Sequence, residues 1–187
     1  MVKRVLNTVL IAACIFITAC TAAQHQENIT HNATSENFGE TRDKIRSLEA
    51  ALIALDQSSD REEARQVAQT AVNSSLYLAQ EYDIVQPAWF HNLLIQMGLR
   101  ERGLCWHWTA DLMSRLQALK LETYQLRWGV AHRGSDLREH NSVVITANGQ
   151  IFEKGMILDP WRYSGDLYWV IVAKDSYPWQ ELPRQEW

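Results

Sequence analysis

The segment RGLCWHWTADL, residues 102–112, is the one around which the predicted fold is built. It holds the only cysteine after residue 20, Cys105, and a glycine stands two residues before that cysteine. Further along the chain, EHNSVVI (139–145) and ILDPW (157–161) have the apolar character of buried strands. We expect the first stretch to begin a buried helix and the other two to lie on neighbouring strands. The rest of the chain then serves to bring these three segments together.

Length and composition predict one globular domain with an appended segment. The chain has 187 residues, of which 47% are hydrophobic and 21% are charged, as in ordinary globular proteins. All eight Trp residues lie from Trp89 onward, so we expect the second half to contain the core and any substrate groove. The formal net charge is −4, and no basic run follows residue 4. These two facts argue against nucleic-acid binding.

The N-terminus has the pattern of an export signal. A short basic region over residues 1–4 precedes an apolar run to residue 18 that is too short to cross a bilayer comfortably. The run ends in ITAC (17–20), which resembles the processing site of bacterial lipoproteins and implies a signal peptide over 1–19 with lipid on Cys20. Ordinary secretory cleavage near residues 22–23 is the alternative. Because Thr21 stands where an aspartate would indicate inner-membrane retention, the outer membrane of a bacterial envelope is favoured.

The remaining chain divides by composition and periodicity. Residues 20–38 are polar and are predicted to be a flexible tether. Residues 39–86 have apolar residues at helical spacing and predict an antiparallel pair of helices, the second of which begins at the capping pattern SDRE (59–62). Residues 87–187 are predicted to be the core domain. There a third helix begins at Pro87, and a fourth, from about Leu104 to Leu119, has Cys105 on its inner face.

Four strands are predicted after these helices. Their expected ranges are Tyr124–Val130, His140–Ala147, Gln150–Asp159 and Asp166–Lys174. The tail, 175–187, is expected to cover the sheet. Helices first and strands second predict an α+β fold in which an antiparallel sheet packs on the helix that carries Cys105.

The hairpin geometry predicts which residues of the second and third strands meet. If Asn148-Gly149 is a two-residue turn, His140 lies opposite Ile157, and Asp159 is its diagonal neighbour on the same face. Diagonal neighbours are about 7–8 Å apart between backbones, which polar side chains can span. A bulge at Gly155 would shift the register by one residue and separate the pair. The expected register therefore places His140 and Asp159 together.

Cysteine usage makes Cys105 a candidate nucleophile. If Cys14 leaves with the signal peptide and Cys20 carries lipid, Cys105 is the only exported thiol, and no intramolecular disulfide is available to it. A buried bystander or an intermolecular link are the other interpretations. A helix start and a nearby imidazole would favour the reactive thiolate. The backbone N–H of Cys105 could bind an oxyanion, with Gln96 and Trp89 as candidates for the second donor.

The three segments resemble the motifs of the transglutaminase-like branch of the papain-like cysteine hydrolases. The residues that carry the resemblance are GLCW (103–106), EHNSVVI (139–145) and ILDPW (157–161), and it covers residues 87–174. It implies that Cys105 is the nucleophile, His140 the general base and acid, and Asp159 the residue that orients His140. It also implies acyl transfer through a thioester. One departure is that many members have an aromatic residue shortly after the histidine, where this chain has Asn141-Ser142.

The predicted function is therefore that of an envelope-anchored cysteine acyl hydrolase or transferase. Its substrate would be an amide in a protein or in a peptidoglycan peptide, it would need no cofactor, and Trp106 and Trp161 would line the substrate groove. A non-catalytic module that holds a peptide or partner protein on the same fold is the alternative. A cell-wall amidase from another branch of cysteine hydrolases is the third hypothesis.

Two further expectations concern histidines. Cys105, His107 and Asp111 together suggest a metal site, but three ligands on one helix lack the convergent geometry that a metal requires. We therefore predict no metal. His91 and His132 are expected at the surface or in loops.

Overall fold

A computed structural model describes residues 37–187 of the chain. The predicted signal peptide (1–19), the lipid attachment at Cys20 and nearly all of the predicted tether (20–38) lie outside the described residues. Residues 44–187 form one compact unit. Within residues 37–187, none of the helices combines the length and the apolarity that crossing a bilayer requires.

The architecture is α+β, with four helices before a five-stranded antiparallel sheet. The helices are α1 (37–53), α2 (Arg61–Glu81), α3 (Ala88–Gln96) and α4 (Cys105–Gln117). Helix α2 begins after Asp60, whose carboxylate accepts a hydrogen bond from the backbone N–H of Glu63 at 2.8 Å. Helix α3 follows Pro87 and ends just before Gly98, which has a φ of 72°. The predicted starts of α2, α3 and α4 are thus accurate to about one residue.

The central strand of the sheet is buried along its whole length. Its strands are β1 (Tyr124–Ala131), β2 (His140–Ala147), β3 (Met156–Asp159), β4 (Tyr168–Ile171) and β5 (Trp179–Leu182). Their order is β4-β3-β2-β1-β5, and every neighbouring pair is antiparallel. All eight residues of β2 are buried. Any side chain at the start of β2 is therefore held on a strand that is paired on both sides and buried.

The third and fourth strands are shorter than predicted. The chain turns at Gly149, but residues 152–154 form a 3₁₀ turn and β3 begins only at Met156. The physical reason lies at Phe152, whose ring packs with Val144 and Ile157 in a small core on one face of the sheet. The backbone of residues 152–154 turns to place this ring and so leaves the hairpin pairing. Ile157 consequently pairs with Val144. The predicted pairing of Ile157 with His140 is therefore wrong. The fourth strand likewise ends at Ile171, where residues 172–174 form another 3₁₀ turn.

The C-terminal tail forms more than the covering segment that was predicted. Its residues Trp179–Leu182 are strand β5 and pair with β1 at the edge of the sheet. Because β5 pairs with β1, the tail also places residues 175–179 beside the beginning of β2, where His140 lies.

One large core joins the helices to the other face of the sheet. Its buried members include, from the helices and then from the strands, Leu48, Leu52, Val67, Leu112, Leu116, Val143, Ile145 and Leu158. Helices α1 and α2 thus share a core with the sheet. Helix α4 packs against β2, which brings the start of one element near the start of the other.

Candidate active site

The loop before Cys105 is held by a buried histidine. His91 is fully buried, its Nε2 donates to the carbonyl of Arg102 at 2.8 Å, and its Nδ1 accepts from the N–H of Val85 at 3.2 Å. Gly103 has a φ of 120°, and a Cβ added there would lie 2.5 Å from His91 Nε2. Only glycine fits this position without strain. The expectation that His91 lies at the surface or in a loop is therefore wrong, since two backbone groups satisfy its ring inside the fold.

His107 and Asp111 form hydrogen bonds with the residues just before helix α4. His107 Nδ1 accepts from the backbone N–H groups of Gly103 and Leu104, each at 3.2 Å. Burial, followed by the charge of Arg102, lowers the pKa of His107, so that it remains a neutral acceptor. Asp111 accepts from Arg102 at 2.7 Å. Among residues 37–187 no group of three or more His, Cys, Asp or Glu residues is arranged to hold a metal ion.

Cys105 is the first residue of α4 and lies against the beginning of strand β2. Its thiol is half-buried and is the only one among the described residues. The sulfur donates to the carbonyl of Glu139 at 3.8 Å and accepts from Asn141 Nδ2 at 3.9 Å. These two residues flank His140 in the sequence. The helix start therefore meets the segment that carries the predicted base.

The structure brings His140 and Asp159 together. His140 Nε2 donates to Asp159 Oδ2 at 2.7 Å, and both side chains are buried. The other ring nitrogen, Nδ1, is also buried and has no hydrogen-bond partner in the described part of the chain. Because Asp159 holds the proton on Nε2, Nδ1 is the nitrogen that is free to exchange a proton with a neighbouring group.

Asp159 is held by four hydrogen bonds, three of which come from residues just after it. Its Oδ1 accepts from the backbone N–H groups of Trp161 and Arg162, each at 3.1 Å. Its Oδ2 accepts from Arg162 Nε at 3.0 Å as well as from His140. A fully buried carboxylate with this many donors is fixed in one orientation. It can therefore fix the orientation of the imidazole in turn.

Arg162 extends this arrangement to the C-terminal tail, and sequence reasoning missed it. Its guanidinium donates to both oxygens of Asp175 at 3.1 and 2.7 Å and lies 4.4 and 4.5 Å from the ring centres of Tyr168 and Tyr177. Burial raises the pKa of Asp175, but hydrogen bonds from Arg162 and Trp179 outweigh burial and lower it. The one available clue was an arginine three residues after the aspartate of the Leu-Asp-Pro motif.

The environment of His140 favours its charged form. Burial alone would lower the pKa of the imidazole, but the Asp159 carboxylate and then the Cys105 sulfur outweigh it and raise that pKa to about 9. The ring is also surrounded by aromatic residues, with ring centroids 4.8 Å away at Trp161 and 5.4 Å away at Tyr177 and Trp179. At neutral pH, His140 is therefore an imidazolium ion beside Cys105, and such a cation favours the thiolate.

Comparison with protein-family models, curated proteins and solved structures finds no match. The site must therefore be interpreted from its own geometry.

A cleft of about 540 Å³ opens over Cys105. Trp106, 49% exposed, and Trp161, half-buried, both line it, as do the two residues considered as oxyanion donors, Trp89 and Gln96. Within residues 37–187, neither Trp89 nor Gln96 makes a hydrogen bond to Cys105. Asn141 also lines the cleft, and it is the side chain whose amide reaches the sulfur.

The cleft lining carries negative charge. Its ionisable residues besides Cys105 are Asp136 and Glu139, and none of the described residues that line it is Lys or Arg. Glu139 is fixed because its carboxylate accepts from the N–H of Gly134 at 2.7 Å. A neutral or cationic group is therefore electrostatically favoured in this cleft over a carboxylate.

Proposed function

We propose that the protein is a cysteine acyl hydrolase or transferase that acts on amide bonds. Cys105 is the nucleophile, His140 the general base and acid, and Asp159 the residue that orients the imidazole. The observation that carries this proposal is the hydrogen bonding of His140: Nε2 is bound to Asp159 at 2.7 Å, while Nδ1 is buried without a partner among the described residues, and Cys105 contacts the residues on both sides of His140 in the sequence.

The proposed reaction needs only these three side chains. The Cys105 thiolate attacks the carbonyl carbon, forms a C–S bond and moves the carbonyl π electrons onto oxygen. The carbonyl then re-forms, the C–N bond breaks, and His140 gives its Nδ1 proton to the leaving amine. Water or a second amine next attacks the thioester, His140 takes up its proton, and the C–S bond breaks to regenerate the thiolate.

The order of elements supports a transglutaminase-like fold for this site. The nucleophile begins a helix that packs on an antiparallel sheet, and the base and the orienting aspartate follow on the adjacent strands β2 and β3. This is the chain order that the resemblance implies. We propose the family relationship on these grounds together with the three motifs.

The cleft supports a polypeptide as the substrate. Trp106 and Trp161 offer flat apolar surface beside the sulfur, while the carboxylates of Asp136 and Glu139 disfavour acidic groups there. An amide flanked by neutral or basic residues suits this lining. Peptides of peptidoglycan carry free carboxylates, so they are the less favoured of the two predicted substrates.

We also propose that a lipid on Cys20 anchors the protein in a bacterial envelope, with the outer membrane favoured. The support is the ITAC pattern at 17–20 and the residue that follows it. Metabolic labelling with a palmitate analogue tests this proposal. Label that persists in a Cys20→Ser variant would contradict it.

A specific observation also favours the alternative of a non-catalytic binding module. Apolar residues that line the cleft are unusually exposed, with Trp89 at 65% and Leu137 at 90%. Such a surface could hold a peptide without any chemistry. The reactivity of Cys105 separates the two functions.

Alkylation of Cys105 by iodoacetamide at pH 7 tests the proposed enzyme. Mass spectrometry measures the rate of modification at Cys105, which we expect to be rapid in the wild type. In His140→Ala the rate should fall by at least about tenfold, because the imidazolium that favours the thiolate is gone. His132→Ala is the matched control and should react like the wild type. A native Cys105 that stays inert, or a His140→Ala variant that reacts at the wild-type rate, would exclude the proposed mechanism.

A further inference from the structure

We propose that Asn141 is a catalytic residue whose side-chain amide is the second donor to the oxyanion. This inference rests on the proposed function, since it assigns a role at the same site. Asn141 is the second residue of β2, is only 8% exposed, and lines the cleft above Cys105. Its Nδ2 lies 3.9 Å from the Cys105 sulfur.

The orientation of this amide is fixed by a neighbouring tryptophan. Trp128 Nε1 donates to Asn141 Oδ1 at 2.7 Å. An indole N–H can only donate, so the amide must turn its oxygen toward Trp128 and its NH₂ group toward the sulfur. The contact between Nδ2 and Cys105 is therefore imposed by chemistry and does not depend on how the two ends of the amide are assigned.

The sheet holds both residues at this spacing. Asn141 pairs with Val130 and Trp128 pairs with Val143, so Trp128 and Asn141 are diagonal neighbours on one face of two adjacent strands. Strand β2 lies between β1 and β3 and is buried along its whole length. A donor on this strand is preorganised, which is what electrostatic stabilisation of a transition state requires.

The other donor to the oxyanion is the backbone N–H of Cys105, at the start of α4. Cys105 is its first residue, and the first backbone N–H groups of a helix have no partner within the helix. The oxyanion is two covalent bonds from the sulfur, so donors on either side of the sulfur can approach it at about 2.7–3.1 Å. The N–H of Cys105 and Nδ2 of Asn141 are the pair that the geometry supplies.

Two reactions of the Cys105 thiol distinguish an oxyanion donor at Asn141 from a residue that changes the reactivity of the thiol in general. Acetylation by p-nitrophenyl acetate proceeds through a tetrahedral oxyanion: the C–S bond forms, the carbonyl electrons move to oxygen and return, and p-nitrophenolate leaves. Alkylation by iodoacetamide displaces iodide and forms no oxyanion. A lost oxyanion donor should therefore slow acetylation much more than alkylation.

The experiment compares both rates at Cys105 in the full-length protein, with Cys105→Ser as the blank. We expect Asn141→Ala to lower the acetylation rate by about 100-fold and the alkylation rate by less than about tenfold. Trp128→Phe, which keeps the amide but frees its orientation, should lower acetylation by a smaller factor and leave alkylation near the wild-type rate. Asn148→Ala, a turn asparagine away from the cleft, should change neither rate.

Each other outcome contradicts the inference in a distinguishable way. Equal losses in both reactions, or no loss in either, would exclude Asn141 as an oxyanion donor while leaving the nucleophile intact. A wild-type protein that is not acetylated at all would overturn the proposed function together with the inference. If Asn141→Ala does not fold by circular dichroism, the ratio of the two rates in Trp128→Phe decides.

Discussion

Replacing Asp159 with asparagine should remove the charge that keeps His140 protonated. The carboxylate accepts from His140 Nε2 at 2.7 Å and is the first of the causes that raise the pKa of His140, against the opposing effect of burial. An amide in its place has no charge and turns an NH₂ group toward one of its donors. With burial then dominant, we expect the pKa of His140 in Asp159→Asn to fall below its usual value of about 6.5.

The magnitude follows from the same pKa. The rise from 6.5 to about 9 corresponds to about 3 kcal/mol, at about 1.4 kcal/mol for each tenfold change in proton affinity. Because the folded pKa lies above the unfolded one, this contribution to stability is fully present below pH 6.5 and is lost as the pH rises through 9. The free energy of unfolding should therefore fall by about 2–3 kcal/mol between pH 6.5 and 9.5, and this fall should be absent in Asp159→Asn.

Urea denaturation followed by tryptophan fluorescence measures the two free energies. Both proteins should carry Cys105→Ser, so that no thiol titrates in this pH range; the sulfur is a lesser cause than Asp159, and most of the effect remains. Burial raises the pKa values of Tyr82 and Tyr124 in both proteins, so their titration cancels in the comparison. A constant stability difference across the range, or a His140 titration midpoint near 6.5 by NMR in both proteins, would refute the reasoning.

Two further substitutions test what holds the site, each by thermal or urea unfolding. Gly103→Ala should lower the free energy of unfolding by about 1–3 kcal/mol, because the residue has a φ of 120° and its Cβ would meet a buried ring at 2.5 Å. Gly149→Ala, at a φ of 77° in open space, should lower it by less. Equal losses in the two variants would contradict the steric argument. Arg162→Lys should lower the free energy of unfolding by about 1–3 kcal/mol, because a lysine cannot donate to both oxygens of Asp175. Arg133→Lys, at an exposed ion pair, should lower it by at most about 0.5 kcal/mol. Similar losses for the two arginines would argue against a specific network.

The predicted meeting of His140 and Asp159 depended on a register that the structure does not have. Ile157 was expected opposite His140 and lies opposite Val144, four residues further along the strand. Four is an even number, and side chains alternate with a period of two, so the face of Asp159 is unchanged. The residue opposite Asp159 in this register would be Ser142, so His140 is still its diagonal neighbour. A shift by one residue would have separated the pair.

Local backbone rules account for the features that could be predicted. Helix starts near Asp60 and Pro87 follow from capping and from the fixed φ of proline. Strand β4 has the alternating faces of a strand: Trp169 and Ile171 pack against the large core, and Val170 packs against the small one. These features depend on residues a few positions apart, whose geometry is set by the chain itself.

Contacts between distant segments could not be predicted in the same way. His91 is buried because two backbone groups, from residues 85 and 102, meet its ring, and no pattern of side chains records such groups. The bond from Trp128 to Asn141 joins two adjacent strands, and the bond from Arg162 to Asp175 joins the turn after β3 to the tail. Asn141 was noted only as a departure from the expected motif.

Local sequence patterns are enough to predict the order of helices and strands, the helix start at Cys105 and the shared face of His140 and Asp159, since each follows from the period of a helix or a strand. Tertiary packing, in contrast, brings the start of α4 to the start of β2 and turns the amide nitrogen of Asn141 toward the sulfur. It also places Arg162 and Asp175 behind Asp159. These contacts arise from packing between segments far apart in the chain, which no local backbone preference specifies.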